Sequence, residues 1–361
     1  MWGKRPDMIV RDESPFNAEP PTTALAGGEI TAIDTFYSRN HGPFPDIAPE
    51  HWRLQVDGMV DTPRTLTYDQ LINGFSAHSL TATLACAGNR RAELLEVRPI
   101  PGKDPWAHGA ISTAEWRGAR LADVLDAAGV RRDDGLHVAF SAPDVAPEAV
   151  PVQSYGSSIP LGKAMSEEVL LAWEMNSEPL PRVHGGPVRV VVPGYVGARS
   201  VKWVNAIRVQ SVPSENYFQA SDYRILPPDA DPETVAPGEG ISLSSLPLNC
   251  DILVPDEGAE VPAGPLTVRG WALAGDGRGI GRVDVSLDGG NTWRQADVQA
   301  ATSRWAWRLW SLTVEAQHGP LSLTARAWDE TGATQPESPA PLWNPRGYGN
   351  NAWSHINVSA G

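Results

Sequence analysis

The sequence predicts a mixed α+β domain followed by an all-β, immunoglobulin-like sandwich. The chain has 361 residues, enough for two ordinary domains with separate cores. Strand and helix patterns alternate between about residues 50 and 220, whereas only strand patterns follow residue 245. We therefore expect four segments, namely an extended N-terminal arm (1–30), a first domain (31–225), a Pro-rich linker (226–245) and a sandwich domain (246–361).

The first domain shows both kinds of periodicity. The segment R-L-Q-V-D-G-M-V (53–60) alternates like a strand, and V-R-V-V-V-P-G (188–194) is a β-branched run that ends at Pro-Gly, as a buried strand does. Between them, A-R-L-A-D-V-L-D-A-A-G-V (119–130) has apolar residues at helical spacing and a glycine near its end. Residues 1–30 show little periodicity, so we expect them to lie extended over this domain.

The second domain begins after a stretch with four prolines, residues 226–240. In R-V-D-V-S-L-D-G-G-N-T-W (282–293) apolar residues alternate up to an Asp-Gly-Gly-Asn turn, and P-L-S-L-T-A-R-A-W-D (320–329) repeats the alternation. Eight of the fourteen tryptophans lie here, including the three of W-A-W-R-L-W (305–310). Their strand-like alternation favours core and interface positions over a surface that stacks bases or sugars.

Composition excludes several classes of function. The net charge of −14 disfavours binding to nucleic acid and to anionic membranes, so an anionic substrate would need a local cluster of cations. No run approaches 18 apolar residues, which excludes a membrane-spanning helix. Two cysteines make no disulfide framework, and the N-terminus lacks the apolar stretch of a secretory signal. We expect a cytoplasmic protein, or a periplasmic one if a signal has been removed.

Cys86 is the first candidate for chemistry. It lies in T-L-A-C-A-G-N-R-R (83–91), and guanidinium groups lower the pKa of a nearby thiol and bind oxyanions. Two interpretations are open: a nucleophilic thiolate with His41 or His184 as its base, or a metal ligand. Zinc is disfavoured because neither C-x-x-C nor H-E-x-x-H occurs. A metal held by one thiolate would need most of its ligands from a cofactor.

A second stretch predicts such a cofactor. H-G-G-P-V-R-V-V-V-P-G-Y-V-G-A-R-S-V-K-W (184–203) combines four glycines with the cations Arg189, Arg199 and Lys202. Glycines allow close approach of the backbone, and the cations suit a phosphate-bearing, pterin- or nucleotide-like ligand. A glycine-rich turn with surface cations is the alternative. The usual ATP and NAD motifs are absent.

These motifs together resemble the sulfite oxidase family of molybdenum enzymes. The resemblance spans about residues 30–357 and rests on S-R-N-H-G (38–42), the Cys86 segment, G-A-I-S-T-A-E-W-R-G (109–118), the glycine-rich stretch and W-N-P-R-G (343–347). In the family, one cysteine and the dithiolene of molybdopterin hold the molybdenum. The resemblance therefore implies that Cys86 is the metal ligand and that the first domain is catalytic.

Further roles are implied by position in the family motifs. The implied cofactor-binding residues are Tyr37, Ser38, Arg39, Asn40, His41, Asp144, His184, Arg189, Ser200, Val201 and Lys202. The implied catalytic residues, which form the pocket for the substrate oxyanion, are Arg39, Arg91, Trp106, Tyr223 and Arg346. The implied cofactor is molybdenum-molybdopterin, with no haem in this chain.

The resemblance implies oxidation of sulfite to sulfate, with electrons passed to O2 or to a separate cytochrome. A nitrate reductase-type enzyme is one alternative, but nitrate reductases typically carry methionine where this chain has Arg346, which favours sulfite. The other alternative is a cofactor-free binding or assembly scaffold, which would have no need of Cys86 or the arginines beside it. The sandwich serves as a dimer interface in the family, so we expect a homodimer.

Overall fold

Short strands dominate the chain, and the few helices are no longer than seven residues. The computed structural model describes residues 2–361. The strands of the first half are β1 (Ile9–Glu13), β2 (Phe16–Glu19), β3 (Arg53–Gly58), β4 (Arg64–Thr67), β5 (Ala77–Ala85), β6 (Ile111–Arg120), β7 (His137–Ala146), β8 (Gln153–Pro160), β9 (Leu170–Met175), β10 (Glu178–Pro179), β11 (Arg189–Val191), β12 (Ala206–Gln210) and β13 (Arg224–Ile225). Its α-helices are α1 (Tyr68–Gly74), α2 (Arg91–Val97), α3 (Leu121–Ala127) and α4 (Leu161–Ala164).

The second half contains strands and one 3₁₀ turn among its described elements. Its strands are β14 (Ile241–Ser242), β15 (Asn249–Val254), β16 (Glu260–Val261), β17 (Gly264–Leu273), β18 (Ile280–Ser286), β19 (Arg294–Gln295), β20 (Asp297–Val298), β21 (Arg308–Ala316), β22 (Gly319–Asp329) and β23 (Ser354–Ala360). The 3₁₀ turn covers Ala340–Leu342. Within residues 2–361, none of the helices has the length and apolar character that a membrane crossing requires.

Four larger sheets build the two halves. The first half has a sheet of order β4-β3-β12-β7-β8 and another of order β10-β9-β6-β5, in which β11 also pairs with β9. The second half has sheets of order β15-β17-β21-β20 and β16-β23-β22-β18-β19. Apolar side chains alternate along their strands, as Val283 and Val285 do in β18, so each sheet presents one apolar face to a core. This is the predicted α+β domain followed by an all-β sandwich, and the fold class is confirmed.

The three local predictions in the first domain agree with β3, α3 and β11. Residues 226–240 contain neither helix nor strand, as predicted for a linker, and β14 lies within the last part of the predicted segment. The exact division of the chain into domains at these points stays a prediction.

Two expectations differ from the structure. The arm is not simply extended, because residues 9–19 form the β1–β2 hairpin and Thr22–Gly27 form a 3₁₀ helix. The hairpin buries Phe16 and Ala18, a pair too short to give a detectable period. Strand β21 begins only at Arg308, so Trp305 precedes the strand, and its carbonyl accepts a hydrogen bond from Thr83 N at 3.0 Å. The tryptophan run is therefore partly an interface between the two halves.

Candidate active site and cofactor cavity

Two adjoining cavities meet at the end of strand β5. The inner cavity, about 640 Å³ including space open to solvent, is lined by Phe36, Tyr37, Arg39, Asn40, His41, Leu84, Cys86, Ala87, Asp144, Tyr155, His184, Arg189, Gly197, Ala198, Ser200, Lys202, Trp203 and Tyr223. The outer cavity, about 660 Å³ on the same measure, is lined by Asp12, Pro15, Asn17, Arg39, His41, Cys86, Arg91, Gly102, Lys103, Asp104, Pro147, Glu148, Tyr223 and Tyr348. Four residues belong to both walls, namely Arg39, His41, Cys86 and Tyr223.

Cys86 follows the last residue of β5 and is nearly buried. Its Sγ accepts a hydrogen bond from Gly88 N at 3.4 Å, and within residues 2–361 no histidine nitrogen is within hydrogen-bonding distance of it. Burial raises the pKa of the thiol, and the opposing charges of Arg91 and Arg39 do not outweigh it. The arginines lower the pKa as expected, but burial outweighs them, so the pKa of the unliganded thiol is raised on balance. A bound metal cation would lower the pKa of the thiol and so favour its deprotonation.

The side chains of the two arginines after Cys86, Arg90 and Arg91, lie in different places. Arg90 is fully buried and holds the two halves together, because it donates to Glu93 at 2.7 and 3.0 Å and to the carbonyls of Ala352 and Trp353 at 2.8 and 3.0 Å. Arg91, which begins α2, lines the outer cavity. Only one of the pair can therefore meet an anion in that cavity.

The Arg91 guanidinium has no carboxylate partner within residues 2–361. Its Nε donates to Gly347 O at 2.9 Å and its Nη1 donates to Asp104 O at 2.8 Å. Gly347 has a φ of +64°, and a Cβ there would lie 2.8 Å from Arg91 Nε, so the close approach requires glycine. The arginine is thus fixed in place while its positive charge stays available.

The inner cavity concentrates buried cations without anionic partners. Lys202 donates to Asn40 Oδ1 at 2.6 Å and to the carbonyls of Arg39 and Val183, both at 3.1 Å. Arg189 donates to the carbonyls of His184 and Ser200, both at 2.9 Å. Burial, reinforced by the charge of Arg189, holds the pKa of Lys202 well below its usual value. Burial likewise lowers the pKa of Arg189 to about 10.

Two further groups on this wall lack partners. Among the described residues, nothing pairs with Asp144 Oδ1 or with His184 Nδ1, although both atoms are buried. Burial raises the pKa of Asp144 to about 7. At Gly197 a Cβ would lie 2.8 Å from the Tyr37 hydroxyl, so any larger residue would narrow the cavity. Unpartnered donors, an unpartnered acceptor and uncompensated cations fit a polar, anionic group such as a phosphate-bearing pterin.

In the outer cavity, a hydrogen-bond chain runs from the shared wall to the surface. The Tyr223 hydroxyl lies 2.7 Å from His41 Nε2, and His41 Nδ1 contacts Glu148, whose side chain is 47% exposed. Burial, assisted by the charge of Arg39, lowers the pKa of His41 to about 4. The ring is therefore neutral at pH 7. A neutral ring that accepts from Tyr223 at Nε2 carries its proton on Nδ1 and donates it to Glu148.

Apart from Arg91, the cations of the outer cavity and its rim are paired with carboxylates. Asp222 accepts from Lys103 at 2.5 Å, from Arg346 at 3.1 Å and from the Tyr348 hydroxyl at 2.8 Å. Arg39 lies 3.8 Å from a carboxylate oxygen of Glu148. Burial opposes it, but Lys103 and the other cations hold the pKa of Asp222 far below its ordinary value. This network begins in a π-helix, Phe218–Asp222, which aims Asp222 and Tyr223 at neighbouring parts of the site.

The structure brings together most of the residues that the sequence singled out, but not all. Trp106 and Arg346 are buried behind the cavity walls, Trp106 beside Cys86 in a hydrophobic cluster and Arg346 against Asp222. Ser38 accepts from Asn40 Nδ2 at 3.0 Å, and Val201 packs in the core. Arg199, a cation of the glycine-rich stretch, is held by the carbonyl of Leu243. None of these five lines either cavity.

Sequence reasoning missed Tyr155, Lys103, Asp222, Glu148 and Tyr348. No motif marks them, since each reaches the site through the folding of a loop or a strand. Two of them had an available signal, because Asp222 directly precedes Tyr223 and Tyr348 directly follows W-N-P-R-G (343–347).

Within residues 2–361, no group of three or more His, Cys, Asp or Glu side chains is arranged to hold a metal ion. A metal at Cys86 would therefore need ligands that these side chains do not supply. The comparisons agree with this arrangement. The family description Oxidoreductase molybdopterin binding domain matches residues 41–218, and Mo-co oxidoreductase dimerisation domain matches residues 241–361.

Relatives match over nearly the whole chain. The sulfite oxidase of Gallus gallus is 45% identical over 97% of this chain and 77% of its own length. The mitochondrial sulfite oxidase of Mus musculus is 44% identical over 98% of this chain, which spans 66% of that relative. The chain belongs to the sulfite oxidase family. A nitrate reductase of Hordeum vulgare is more distant, at 38% identity.

A solved structure shares this fold. The sulfane dehydrogenase SoxCD of Paracoccus pantotrophus superposes with a TM-score of 0.82 at 29% identity, covering 98% of this chain and 89% of that one. The molybdopterin-binding match within this family makes molybdenum-molybdopterin the cofactor. The inner cavity has the cations and the unpartnered polar atoms to hold its pterin, and Cys86 lies at the junction with the outer cavity.

Proposed function

We propose that this chain oxidises sulfite to sulfate, with Cys86 as the protein ligand of molybdenum. One observation carries the proposal: the Cys86 thiol lies at the junction of the two cavities, and the guanidiniums of Arg39 and Arg91 line the outer cavity with it. The reaction consumes sulfite and water and gives sulfate, two protons and two electrons. When bound, the molybdenum cofactor supplies the two-electron redox chemistry and the oxygen-atom transfer.

The arginines are proposed to bind the substrate oxyanion in the outer cavity. Each charge-assisted hydrogen bond contributes about 1.5–3 kcal/mol when its geometry is good. Trp106 and Arg346 lie behind the walls, so we propose that they position the anion-binding residues. Trp106 O accepts from Ala92 N at 3.0 Å in the first turn of α2, the helix that begins with Arg91. Arg346 fixes Asp222, the neighbour of Tyr223.

The two protons need a route out of a buried site. We propose that Tyr223 takes up a proton released by the reaction as its own hydroxyl proton passes to His41 Nε2 and the ring releases its Nδ1 proton to Glu148. The carboxylate then exchanges it with solvent, because its side chain is half exposed. Burial keeps the pKa of Tyr223 well above its usual value, so the hydroxyl stays protonated between turnovers and gives up its proton only as it takes up another.

The oligomeric state, the electron acceptor and the cellular compartment are also proposals. A dimerisation-domain match and the expectation of a family interface support a homodimer through the second half. The electron acceptor is either O2 or a separate cytochrome. We keep the cytoplasm as the proposed compartment, although relatives such as the mouse protein carry the word mitochondrial in their names.

Anaerobic mixing of molybdenum-loaded protein with sulfite tests the activity. The absorption of the thiolate-to-molybdenum bond should bleach on addition of sulfite and return on addition of ferricyanide or air. The reoxidant that works identifies the class of acceptor. Cys86→Ser should show no such band while the chain stays folded.

Two results would contradict the proposal. A chain that takes up no molybdenum on expression with the cofactor pathway would be the binding scaffold. Protein that sulfite does not bleach, but whose chemically reduced form nitrate reoxidises, would be a nitrate reductase-type enzyme.

A further inference from the structure

Lys4 of the N-terminal arm contacts His184, a residue of the inner cavity wall. Its ammonium donates to Ile33 O and Phe36 O, each at 2.6 Å, and lies 2.6 Å from His184 Nε2. Three protons thus meet three acceptors, and no carboxylate within residues 2–361 forms a salt bridge with this lysine. Lys4 is far from His184 in sequence, and neither lies in a motif that relates it to the other.

The contact determines which nitrogen of His184 carries a proton. The ring is fully buried among Lys4, Lys202 and Arg189, and burial followed by these charges holds its pKa well below the usual value. A neutral ring has one donor and one acceptor nitrogen. Burial lowers the pKa of Lys4 to about 7, so its ammonium form predominates below that pH. The ammonium can only donate, so there Nε2 accepts and the ring proton lies on Nδ1. That atom is buried and has no partner among the described residues, while the ring lines the inner cavity.

We infer that Lys4 is a positioning residue for the molybdenum cofactor, which acts through His184. By occupying Nε2 it presents the Nδ1 proton as a fixed donor to an acceptor on the bound pterin. The arm is anchored on both sides of this point, since Arg5 N donates to Asp34 O at 3.2 Å and Trp2 packs on Phe44 with ring centroids 4.5 Å apart. Retention of the cofactor then depends on a side chain of the arm, outside the segment that matches the molybdopterin-binding domain.

The test compares Lys4→Met with Arg5→Met. Arg5 is the matched control, because it neighbours Lys4 on the same arm but its side chain pairs with the exposed Asp7. Both variants are purified with cofactor, and bound molybdopterin is followed over time at elevated temperature by the fluorescence of its oxidised form. Lys4→Met should lose the cofactor at least about fivefold faster than the parent, and Arg5→Met within about twofold of it. Equal rates in the two variants would overturn the inference.

The tautomer itself gives a readout that a merely structural arm would not change. In holoenzyme labelled with ¹⁵N-histidine, His184 is assigned by the signal that His184→Gln removes. Spectra are taken at about pH 6, where the Lys4 ammonium predominates. The parent should show the neutral ring protonated on Nδ1, and Lys4→Met should show the proton shared with Nε2. An Nε2-protonated ring in the parent, or an unchanged tautomer in the variant, would overturn the inference. Molybdenum content and unfolding of the cofactor-free proteins are measured in parallel, so that a general loss of folding is recognised.

Discussion

The inner and outer cavities differ in whether their cations are paired with carboxylates. In the inner cavity, Arg189 and Lys202 are buried against carbonyl and amide oxygens, and no carboxylate among residues 2–361 contacts them. In the network at the outer cavity, Lys103 and Arg346 share the carboxylate of Asp222. Both regions are cationic in composition, but only the second is neutralised by the protein itself.

The difference indicates what each region is built to bind. A buried cation without an anion is costly, and an anionic ligand that neutralises it is held tightly. A cavity of this kind suits a resident cofactor. Cations that are already paired leave a weaker net field, so a small anion can be bound by the remaining arginines and its product released. Removing charge should therefore damage cofactor retention in one region and folding in the other.

The largest expected effect is on folding, for Asp222→Asn. Loss of this carboxylate leaves Lys103 and Arg346 buried or half-buried without a counter-charge. Removal of one partner from a buried ion pair lowers the free energy of unfolding by about 3–5 kcal/mol. Urea denaturation of the cofactor-free chain measures it. Asp57→Asn, which breaks an exposed pair with Arg208, is the control and should change the free energy by less than about 1 kcal/mol. Equal effects would show that the Asp222 network is not a buried one.

The next effect should be on cofactor content, for Lys202→Met. We expect the purified chain to hold at least about tenfold less molybdopterin, since the ligand loses a charge-assisted partner in a buried site. The cofactor-free chain should lose less than about 2 kcal/mol, because relief of the buried charge offsets the three lost hydrogen bonds. Molybdenum analysis and denaturation of the same samples separate the two. A variant that keeps its cofactor but unfolds would reverse the comparison.

A third effect concerns substrate binding at the junction, through Arg91→Gln. Loss of one anchored guanidinium should raise the KM for sulfite about 10- to 150-fold, the equivalent of about 1.5–3 kcal/mol. Arg90→Gln is an unusually close control, because Arg90 holds the two halves together and does not line either cavity. It should lower stability and leave KM near the parent value. A raised KM in Arg90→Gln alone would mean that the roles of the two arginines are exchanged.

The two regions should also differ in the pH range in which they affect stability. The folded-state pKa of Asp222 lies below its unfolded value, so its contribution is present at neutral pH and disappears as the pH falls below about 4. The folded-state pKa of Lys202 is also depressed, but for a base this means a cost at neutral pH that declines as the pH rises toward about 10. The cofactor-free chain should therefore be more stable at pH 9 than at pH 7, and Lys202→Met should reduce that gain. Denaturation curves at both pH values measure it, and an unchanged gain in the variant would contradict the assignment.

The fold was largely predictable from the sequence, because period and turn composition are local properties. Alternation marked β3 and β18, and helical spacing marked α3. The β1–β2 hairpin was not predictable, since all four residues of β2 are buried but only Phe16 and Ala18 are apolar, too few to give a period. The start of β21 was missed for a related reason. Trp305 has the spacing of a strand residue but packs against the first half, where contacts between distant segments decide the conformation.

The site could be predicted only where a motif fixes it. The segment around Cys86 marked the thiol and Arg91, but the same pattern marked Arg90, whose partners lie about 260 residues away in the chain. Nothing local distinguishes the two arginines. The same holds for Lys4, Glu148 and Asp222, since each acquires its role from a partner that only the fold brings near. Burial also reversed the expected shift in the pKa of Cys86, because the sequence shows the charges but not the desolvation.

The smallest effect expected is on the rate of turnover, through Glu148→Gln at the surface end of the chain from Tyr223. Burial opposes it, but the hydrogen bond from His41 and the charge of Arg39 hold the pKa of Glu148 below its usual value, so the carboxylate is ionised at neutral pH and able to accept a proton. Glutamine keeps the shape without that capacity. We expect kcat to fall about fivefold, less than the loss of a positioned acid-base group, since water can take over from a half-exposed side chain. KM should stay near the parent value, and small carboxylic acids in the buffer should restore the rate.

Glu174→Gln, which breaks a pair with Arg117 outside both cavities, is the control. An unchanged kcat with an unchanged pH profile would mean that the protons leave the outer cavity by another path.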